Sequence, residues 1–373
     1  MPTPHLSHPS PCPLRFDIEP DITRASTLPA GVYGDPAYWQ WSRRQIFARS
    51  WQLVGHKDLV KVPQQCHPFV LLDGCIDEPL LLTRDAADQI HCMSNVCTHR
   101  GTLVVEGPCV TPTLRCRYHG RKFGLDGRFQ SMPEFGQAAD FPSERDNLPK
   151  VQLREWAGFL FASLDPAMPF DEWIGPVQQR VGWLPFDEYR FDAGRSRDYL
   201  VNANWALYCD NYLEGFHIPF VHAALNQALD YGSYRSQLFR WCNLQLGVTR
   251  GGEHSFAVPD GWPDAGGQPV AAWYFWMWPN LMLNFYPWGL SINVVRPIAA
   301  DRTRVSFLTY VHDERKLDVG AGAGLDRVER EDEEVVESVQ IGVRSSLYQR
   351  GRYSPTREQN VHHFHRLLAE VSA

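Results

Sequence analysis

The chain has 373 residues, of which 44% are hydrophobic and 21% charged. These values are typical of a globular protein with a sizeable core, and at roughly 100–200 residues per domain the length predicts two or three domains. The net charge of −7 and the lack of a long basic run argue against a nucleic-acid partner. No apolar stretch is long enough to cross a bilayer, and the N-terminus carries no features of a secretion signal. Nine cysteines in such a chain favour thiols or metal ligands, and we expect a cytoplasmic protein without a membrane partner.

The first fifty residues are predicted to form an arm followed by a helix. Residues 1–30 are rich in proline, and Asp35 followed by Pro36 is typical of a helix N-cap with proline in the first turn. Apolar positions then predict a helix to about residue 50. We expect residues 1–50 to pack on the C-terminal domain.

Two domains are predicted after this helix. Residues 51–165 contain short apolar runs bounded by turn sequences, among them the hairpin signal Leu125-Asp-Gly-Arg128, which predict a small all-β domain. Residues 166–373 combine helical and strand patterns, which predicts α+β architecture. The helical patterns cover 204–229 and 326–346, and the clearest strands are 273–278, 281–286, 291–297 and 303–311.

The all-β stretch contains two short motifs that each pair one cysteine with one histidine: Cys97-Thr-His99 and Cys116-Arg-Tyr-His119. Two thiolates and two imidazoles are the ligand set of a [2Fe–2S] cluster with Cys₂ on one iron and His₂ on the other. The same set is common at zinc sites, although zinc fingers usually group like residues together. Gly101 and Gly120 follow the histidines, and glycine permits the tight loops that bring backbone N–H groups close to a cluster.

A second motif, E-x-x-H-x4-H, runs from Glu214 through His217 to His222. Two histidines and a carboxylate form the facial triad of non-haem Fe(II) sites. On a regular helix the two histidines would lie about 140° apart, so a shared metal requires a kink or a widened turn, which Pro219 would favour. Two buried structural histidines are the alternative interpretation.

The two motifs in this order resemble the Rieske non-haem iron oxygenase α subunits. The resemblance implies that Cys97, His99, Cys116 and His119 hold a Rieske [2Fe–2S] cluster. It also implies a C-terminal catalytic domain of helix-grip type, with an antiparallel sheet flanked by helices. Respiratory Rieske proteins carry an additional cysteine in each loop, whereas Thr102 and Arg117 occupy those regions here.

The same resemblance supplies the remaining site residues. The family's D-x4-E-x2-Q pattern matches Asp332, Glu337 and Gln340. This makes Asp332 the third ligand of a mononuclear Fe(II), beside His217 and His222, with Glu331 as the alternative. Glu214 matches the acidic residue that bridges a cluster histidine of one subunit to an iron histidine of the next, which implies a homotrimer. Glutamate at this position resembles the branch that acts on quaternary ammonium compounds.

The predicted function is therefore that of a terminal oxygenase. Electrons would come from NAD(P)H through a flavin and iron–sulfur reductase, with or without a ferredoxin, because the chain has no nucleotide-binding fingerprint of its own. Monooxygenation of a quaternary ammonium compound is the leading interpretation, since aromatic runs at 273–278 and 285–288 offer faces for a cation. Those rings are equally compatible with sheet core. The alternatives are an aromatic ring-hydroxylating dioxygenase and a Rieske ferredoxin that only carries electrons.

The last helix carries three further histidines, His362, His363 and His365. Their spacing suggests another metal site. We expect them to be packing or surface groups, because the predicted iron already has its ligands.

Overall fold

A computed structural model describes residues 11–222, 232, 235–249, 254–319 and 324–373. Residues 1–10 of the predicted arm and residues 223–229 of the predicted helical segment lie outside the described residues. The chain divides into two compact units. One contains Phe47–Ala167, and the other contains Met168–Ala373 together with the preceding segment that ends at Ile46.

The unit formed by residues 47–167 is built from ten short strands. They are β1 Gln52–His56, β2 Gln65–Leu71, β3 Glu78–Arg84, β4 Ile90–Ser94, β5 Cys109–Val110, β6 Leu114–Arg115, β7 Lys122–Phe123, β8 Phe129–Ser131, β9 Gln152–Trp156 and β10 Phe159–Ser163. They form three antiparallel sheets with the orders β1-β10-β9, β4-β3-β2-β5 and β6-β7-β8. The Asp-Gly hairpin signal is confirmed, because it connects β7 to β8. The only helical segments within residues 48–167 are single 3₁₀ turns at Lys57–Val60 and Glu144–Asp146.

The second unit is built on one seven-stranded antiparallel sheet. Its strands are β11 Arg190–Val201, β12 Arg235–Leu238, β13 Cys242–Val248, β14 Val270–Met277, β15 Leu281–Tyr286, β16 Gly289–Ala299 and β17 Arg302–Val311. The order across the sheet is β11-β17-β16-β15-β14-β13-β12. The four strands expected from the sequence are confirmed as β14 to β17, and so is the α+β class.

Within the described residues, six α-helices accompany this sheet. They are α1 Pro36–Ser42, α2 Phe170–Val181, α3 Trp205–Tyr212, α4 Ile218–Val221, α5 Leu325–Gly342 and α6 Gln359–Ser372. Further 3₁₀ turns lie at Ala30–Tyr33, Phe186–Glu188 and Glu314–Lys316, and helix α1 continues as a π-helical turn, Arg43–Phe47. Helix α3 packs on α5 and β16, and α6 packs beside β12. None of the described helices is both long and apolar enough to span a membrane.

The cap of α1 confirms the sequence signal at its start. The Asp35 side chain accepts hydrogen bonds from the backbone N–H groups of Ala37 (2.7 Å) and Tyr38 (2.9 Å). These are two of the N–H groups that a helix start leaves without intrahelical partners. Pro36 at the first position has no N–H that would need a partner.

Candidate metal centres

The two Cys–His loops of the first unit have the same backbone hydrogen-bonding pattern. In each loop the cysteine N–H donates to the carbonyl five residues later, Cys97 to Thr102 (2.8 Å) and Cys116 to Arg121 (2.9 Å). The N–H of the glycine at the fourth position then donates to the cysteine carbonyl, with Gly101 and Gly120 both 3.0 Å away. Both glycines have φ near +75°, a conformation that L side chains rarely adopt. The loops are therefore equivalent although one reads C-x-H and the other C-x-x-H.

The loops bring all four predicted cluster ligands together. The Cys97 and Cys116 side chains belong to the hydrophobic core of this unit, whereas the His99 ring is partly buried and His119 is exposed. The two imidazole rings lie 4.7 Å apart between centroids. Burial raises the pKa of the Cys97 thiol, and the neighbouring Cys116 thiol raises it further. Two thiols in the core of the unit and two imidazoles nearer its surface match the ligand set of a Rieske cluster.

One buried atom without a hydrogen-bond partner supports the assignment of these residues as metal ligands. Nδ1 of His99 is buried and has no hydrogen-bond partner among the described residues. A buried polar atom without a partner destabilises a folded protein, so it is unusual outside functional sites. A metal ion bound through Nδ1 would give this atom the partner that it lacks.

The second constellation brings His217, His222 and Asp332 together. Their candidate ligand atoms all lie within 4.8 Å of one another. Oδ1 of Asp332 is 2.9 Å from Nε2 of His222 and 3.4 Å from Nε2 of His217. Two imidazole nitrogens and one carboxylate oxygen therefore converge on one point, which is the donor set of a facial-triad iron site.

The far nitrogen of each ring is held by a second carboxylate. Nδ1 of His217 is 2.6 Å from Glu214, and Nδ1 of His222 is 2.8 Å from Glu331. A carboxylate on Nδ1 fixes the ring orientation and the tautomer that leaves Nε2 available to a metal. Glu331, the alternative ligand in the sequence, thus lies on the side of His222 that faces away from Asp332.

The short helix α4 explains how two histidines five positions apart share one site. His217 is the N-cap of α4, Pro219 is its second residue, and His222 is its C-cap with a non-helical backbone. Both histidines therefore flank a single regular turn, and no widened turn is present at Ile218–Val221. Because the helix ends at His222, the ring of this residue turns toward His217, and the two ring centroids are 5.1 Å apart.

The other two residues of the D-x4-E-x2-Q pattern anchor helix α5. Oε1 of Glu337 accepts hydrogen bonds from the backbone N–H (2.8 Å) and side-chain amide (2.9 Å) of Asn202. Oε1 of Gln340 accepts from the backbone N–H of Asn204, the N-cap of α3, at 2.7 Å. These hydrogen bonds hold α5 against the start of α3. They thereby fix the position of Asp332 relative to the two histidines.

A cavity opens beside the three converging residues. Its floor is a row of directly paired residues across strands β13 to β16, namely Gln245, Tyr274, Asn284 and Ser291. Helices α3 and α5 contribute Tyr208, Tyr212, Val328 and Glu329, and the remaining wall includes Tyr286, Asn293 and Phe307.

Electrostatics in this site is dominated by buried carboxylates. Burial raises the pKa of Glu329 well above its usual range, although the Tyr208 hydroxyl, 2.8 Å from Oε2, opposes this shift. Burial alone would lower the pKa of His217, but hydrogen bonds to Asp332 and Glu214 raise it to about 9. Carboxylates that raise the pKa of a neighbouring ring favour positive charge at this place, either a proton or a bound metal cation.

The family comparisons agree with both constellations. Residues 186–373 match the ring hydroxylating alpha subunit (catalytic domain) family, and residues 50–142 match the Rieske [2Fe-2S] domain family. The chain therefore belongs to the Rieske non-haem iron oxygenase α subunits. It is an O₂-dependent oxidoreductase whose family carries one Rieske cluster and one mononuclear iron and receives electrons from a reductase, as the sequence predicted.

Individual relatives cover nearly the whole chain. Chloroplastic choline monooxygenase of Beta vulgaris is 30% identical over 95% of this chain and 79% of its own length. The carnitine monooxygenase oxygenase subunit of Escherichia coli (strain K12) is 28% identical over 93% of this chain and 94% of its own length. A crystal structure of the quaternary ammonium Rieske monooxygenase CntA with L-carnitine has a TM-score of 0.74, with 22% identity over 95% of this chain and 97% of that one. The catalytic-domain match rules out the ferredoxin alternative.

The aromatic runs divide between core and cavity. Tyr274 and Tyr286 line the cavity, whereas Trp273, Trp276 and Trp278 are fully buried packing residues. Trp276 packs against Phe364 of helix α6. The sheet-core interpretation therefore holds for the tryptophans, and the cavity interpretation holds for the tyrosines.

Sequence reasoning missed the polar floor of the cavity and Glu329. Asn284 and Asn293 stand inside otherwise apolar strands, and such buried amides were the available signal. Tyr208, Asn211 and Tyr212 follow i, i+3, i+4 spacing, which predicts a common helix face.

The three C-terminal histidines are packing groups, as expected. Their ring nitrogens bond the Glu19 carbonyl (His362, 2.8 Å), the Asn243 side chain (His363, 2.7 Å) and the Asp210 carboxylate (His365, 2.7 Å).

Proposed function

We propose that this chain is the oxygenase component that inserts one oxygen atom into a C–H bond of a quaternary ammonium compound, by hydroxylation or oxidative demethylation. One observation carries the proposal. The cavity beside His217, His222 and Asp332 is lined by four tyrosines and by carboxylates, and no lysine or arginine is among its described lining residues. The similarity to choline and carnitine monooxygenases supports the same substrate class.

The chemistry of the lining favours a cation without a hydrogen-bonding head. Tetraalkylammonium groups have no N–H donor and are attracted to the faces of aromatic rings, an interaction worth about 0.5–2 kcal/mol per ring. Tyr274 and Tyr286 lie 5.8 Å apart between centroids at an interplanar angle of 77°, so they offer two differently oriented rings. Burial favours the neutral form of Glu329, and a bound cation would favour its ionised form, which would then supply negative charge to the cavity.

We assign the metal ligands by the donor sets described above. Cys97, His99, Cys116 and His119 would hold the [2Fe–2S] cluster, and His217, His222 and Asp332 would hold the iron. The metals supply O₂ activation, in which two electrons and two protons accompany the insertion of one oxygen atom and the release of the other as water. The protein's part is to orient the substrate carbon, to hold both rings through Glu214 and Glu331, and to exclude bulk water.

Glu214 is proposed to connect the two kinds of site between subunits. Its carboxylate already holds Nδ1 of His217, and its second oxygen accepts a hydrogen bond from the His217 backbone N–H (3.0 Å). We propose a homotrimer in which a cluster histidine of the neighbouring subunit meets this carboxylate. We further propose that residues 1–50 form the arm, residues 51–165 the Rieske domain and residues 166–373 the catalytic domain. The proposed partner is a flavin and iron–sulfur reductase. The proposed location is cytoplasmic, consistent with nine cysteines that form no disulfide.

Single-turnover oxidation tests the substrate class without a reductase. The purified protein is reduced chemically and mixed with O₂ and one compound at a time: choline, carnitine, glycine betaine, a simple arene, or 3,3-dimethylbutan-1-ol. The last compound is the neutral isostere of choline. Cluster reoxidation is followed optically, and aldehyde, formaldehyde and diol are assayed.

The expected result is stoichiometric product with an ammonium compound and little reaction with the neutral isostere. Reaction with the arene alone would contradict the proposal and would favour a ring-hydroxylating dioxygenase. A matched pair of variants tests the cation contact. Tyr286→Phe keeps the aromatic face and should bind the substrate normally, whereas Tyr286→Leu should weaken binding roughly 3- to 30-fold.

A further inference from the structure

The two cluster loops converge on one residue that belongs to neither of them. Asp146 lies in a 3₁₀ turn, and its backbone carbonyl accepts a hydrogen bond from the hydroxyl of Thr98 at 2.8 Å. Thr98 stands between the two ligands of the first loop. The same carbonyl accepts from Nη2 of Arg121 at 3.2 Å, and Nη2 also lies 2.5 Å from Oδ1 of Asp146. Arg121 directly follows the glycine of the second loop.

The Arg121 side chain is buried, and its partner Asp146 is partly buried. The Arg121 side chain is only 2% exposed, and that of Asp146 is 16% exposed. The guanidinium lies over three phenylalanine rings, those of Phe123, Phe129 and Phe141, at 5.7, 4.9 and 5.5 Å. The other carboxylate oxygen of Asp146 accepts from the backbone N–H (2.7 Å) and hydroxyl (3.0 Å) of Ser143.

Charge at this place acts on the cluster ligands. Arg121 interacts electrostatically with both Cys97 and His99. Because the site is desolvated, a charge there is screened much less than one on the surface. As long as both partners are present, the positive and negative charges largely offset each other.

We propose that Arg121 and Asp146 are positioning residues that join the two cluster-binding loops, and that the charge of each offsets the effect of the other on the reduction potential of the cluster. Together with Thr98, the pair joins the two loops through hydrogen bonds that meet at Asp146. The inference rests on the proposed cluster ligands and is independent of the proposed substrate.

Electrostatics makes a prediction that loop tethering alone does not make. Reduction adds one negative charge to the cluster, so a nearby positive charge favours the reduced form and a negative charge disfavours it. Removing Arg121 leaves the carboxylate uncompensated, whereas neutralising Asp146 leaves the guanidinium uncompensated. The two changes should therefore shift the potential in opposite directions. A general loosening of the loops, with water entering, would shift both in the same direction.

The experiment measures the midpoint potential by optical redox titration of the full-length protein, after cluster content has been verified by iron and sulfide analysis. We expect a lower potential for Arg121→Gln, a higher one for Asp146→Asn, and a near-normal value for the double variant. Arg121→Lys keeps the charge and should retain the potential better than Arg121→Gln does. Thr98→Val removes an uncharged tether, so it should speed cluster loss on dilution and leave the potential nearly unchanged.

The matched control is Arg117→Gln. Arg117 follows the ligand Cys116 directly, but its side chain is 75% exposed and pairs with Glu106 on the surface. This variant removes the same charge from the same loop, and solvent screening should keep the shift small. Shifts of the same sign in Arg121→Gln and Asp146→Asn would overturn the electrostatic role. If Arg121→Gln binds no cluster, Asp146→Asn alone provides the test. A midpoint potential of Asp146→Asn at or below that of the natural protein would then overturn the electrostatic role.

Discussion

The Glu331 carboxylate lies 2.8 Å from Nδ1 of His222, on the opposite side of the ring from the nitrogen that faces Asp332. Two adjacent acids of helix α5 thus hold the two nitrogens of one imidazole. Glu331 is itself oriented by Arg327, whose Nε donates to it at 2.9 Å. The arrangement separates the acid that would bind iron from the acid that would orient a ligand.

Substitutions at these two positions should therefore differ in their effect on iron binding. Asp332→Ala should abolish mononuclear iron binding, because it removes a ligand atom. Glu331→Ala should only weaken it, by roughly 10- to 100-fold, as is usual for groups that orient a metal ligand. Iron affinity is measured by competition with a colorimetric chelator. If Glu331→Ala lost iron completely and Asp332→Ala retained it, the assignment of the two acids would be reversed.

The two metal sites should be separable by mutation, because their proposed ligands lie in different folding units. His217→Ala should abolish substrate oxidation and leave the visible and EPR spectra of the cluster unchanged. Cys116→Ser should remove the cluster spectrum while mononuclear iron remains bound. Both variants are compared with the natural protein for iron, sulfide and optical spectrum. Loss of the cluster in His217→Ala would contradict the assignment of two independent sites.

The proposed cluster ligands could be named from sequence because each half-site is local, so a few neighbouring residues define both ligand and loop. The third proposed iron ligand was harder to choose. Asp332 and Glu331 are adjacent on a charged helix, and composition cannot tell which of them faces the histidines, since that depends on the rotation of α5 about its axis. Glu337 and Gln340 set this rotation by binding the start of α3, a contact more than a hundred residues away in sequence.

The cavity could not be predicted because it depends on strand register. Gln245, Tyr274, Asn284 and Ser291 meet only when four strands pair in one alignment, and no local pattern fixes that alignment. The aromatic run illustrates the same limit. Trp273 and Tyr274 are neighbours in sequence, but a strand turns them to opposite faces, and only the tyrosine reaches the cavity.

Glu214→Gln should slow electron transfer without removing either metal. Glutamine keeps the shape of the side chain and one acceptor oxygen for Nδ1 of His217, so His217 should still bind iron. It loses the negative charge and the second acceptor oxygen, with which the carboxylate would accept an N–H group from a ring on each side. Single-turnover kinetics should show normal cluster content, normal iron content and a slower reoxidation of the cluster when O₂ and substrate are added. Reoxidation at the normal rate would contradict the bridging role.

His363 should make the folded protein sensitive to acid. Burial, helped by Arg366 and Arg240, lowers its pKa from 6.5 to about 4, while Glu370 acts weakly in the opposite sense. Nδ1 is 2.7 Å from the side-chain oxygen of Asn243. Because the folded-state pKa lies below the unfolded one, the unfolded chain binds more protons between these values. The contribution of the neutral ring is therefore complete above about pH 6.5 and is lost as the pH falls through about 4.

The variant His363→Gln tests this dependence, since glutamine can keep a hydrogen bond to Asn243 and does not titrate. Chemical denaturation is compared for both proteins at pH 8 and at pH 5. At pH 8 the difference between them measures the altered packing alone. At pH 5 the natural protein should have lost about 2 kcal/mol more of its unfolding free energy than the variant. An identical loss in both proteins would show that His363 does not titrate on unfolding.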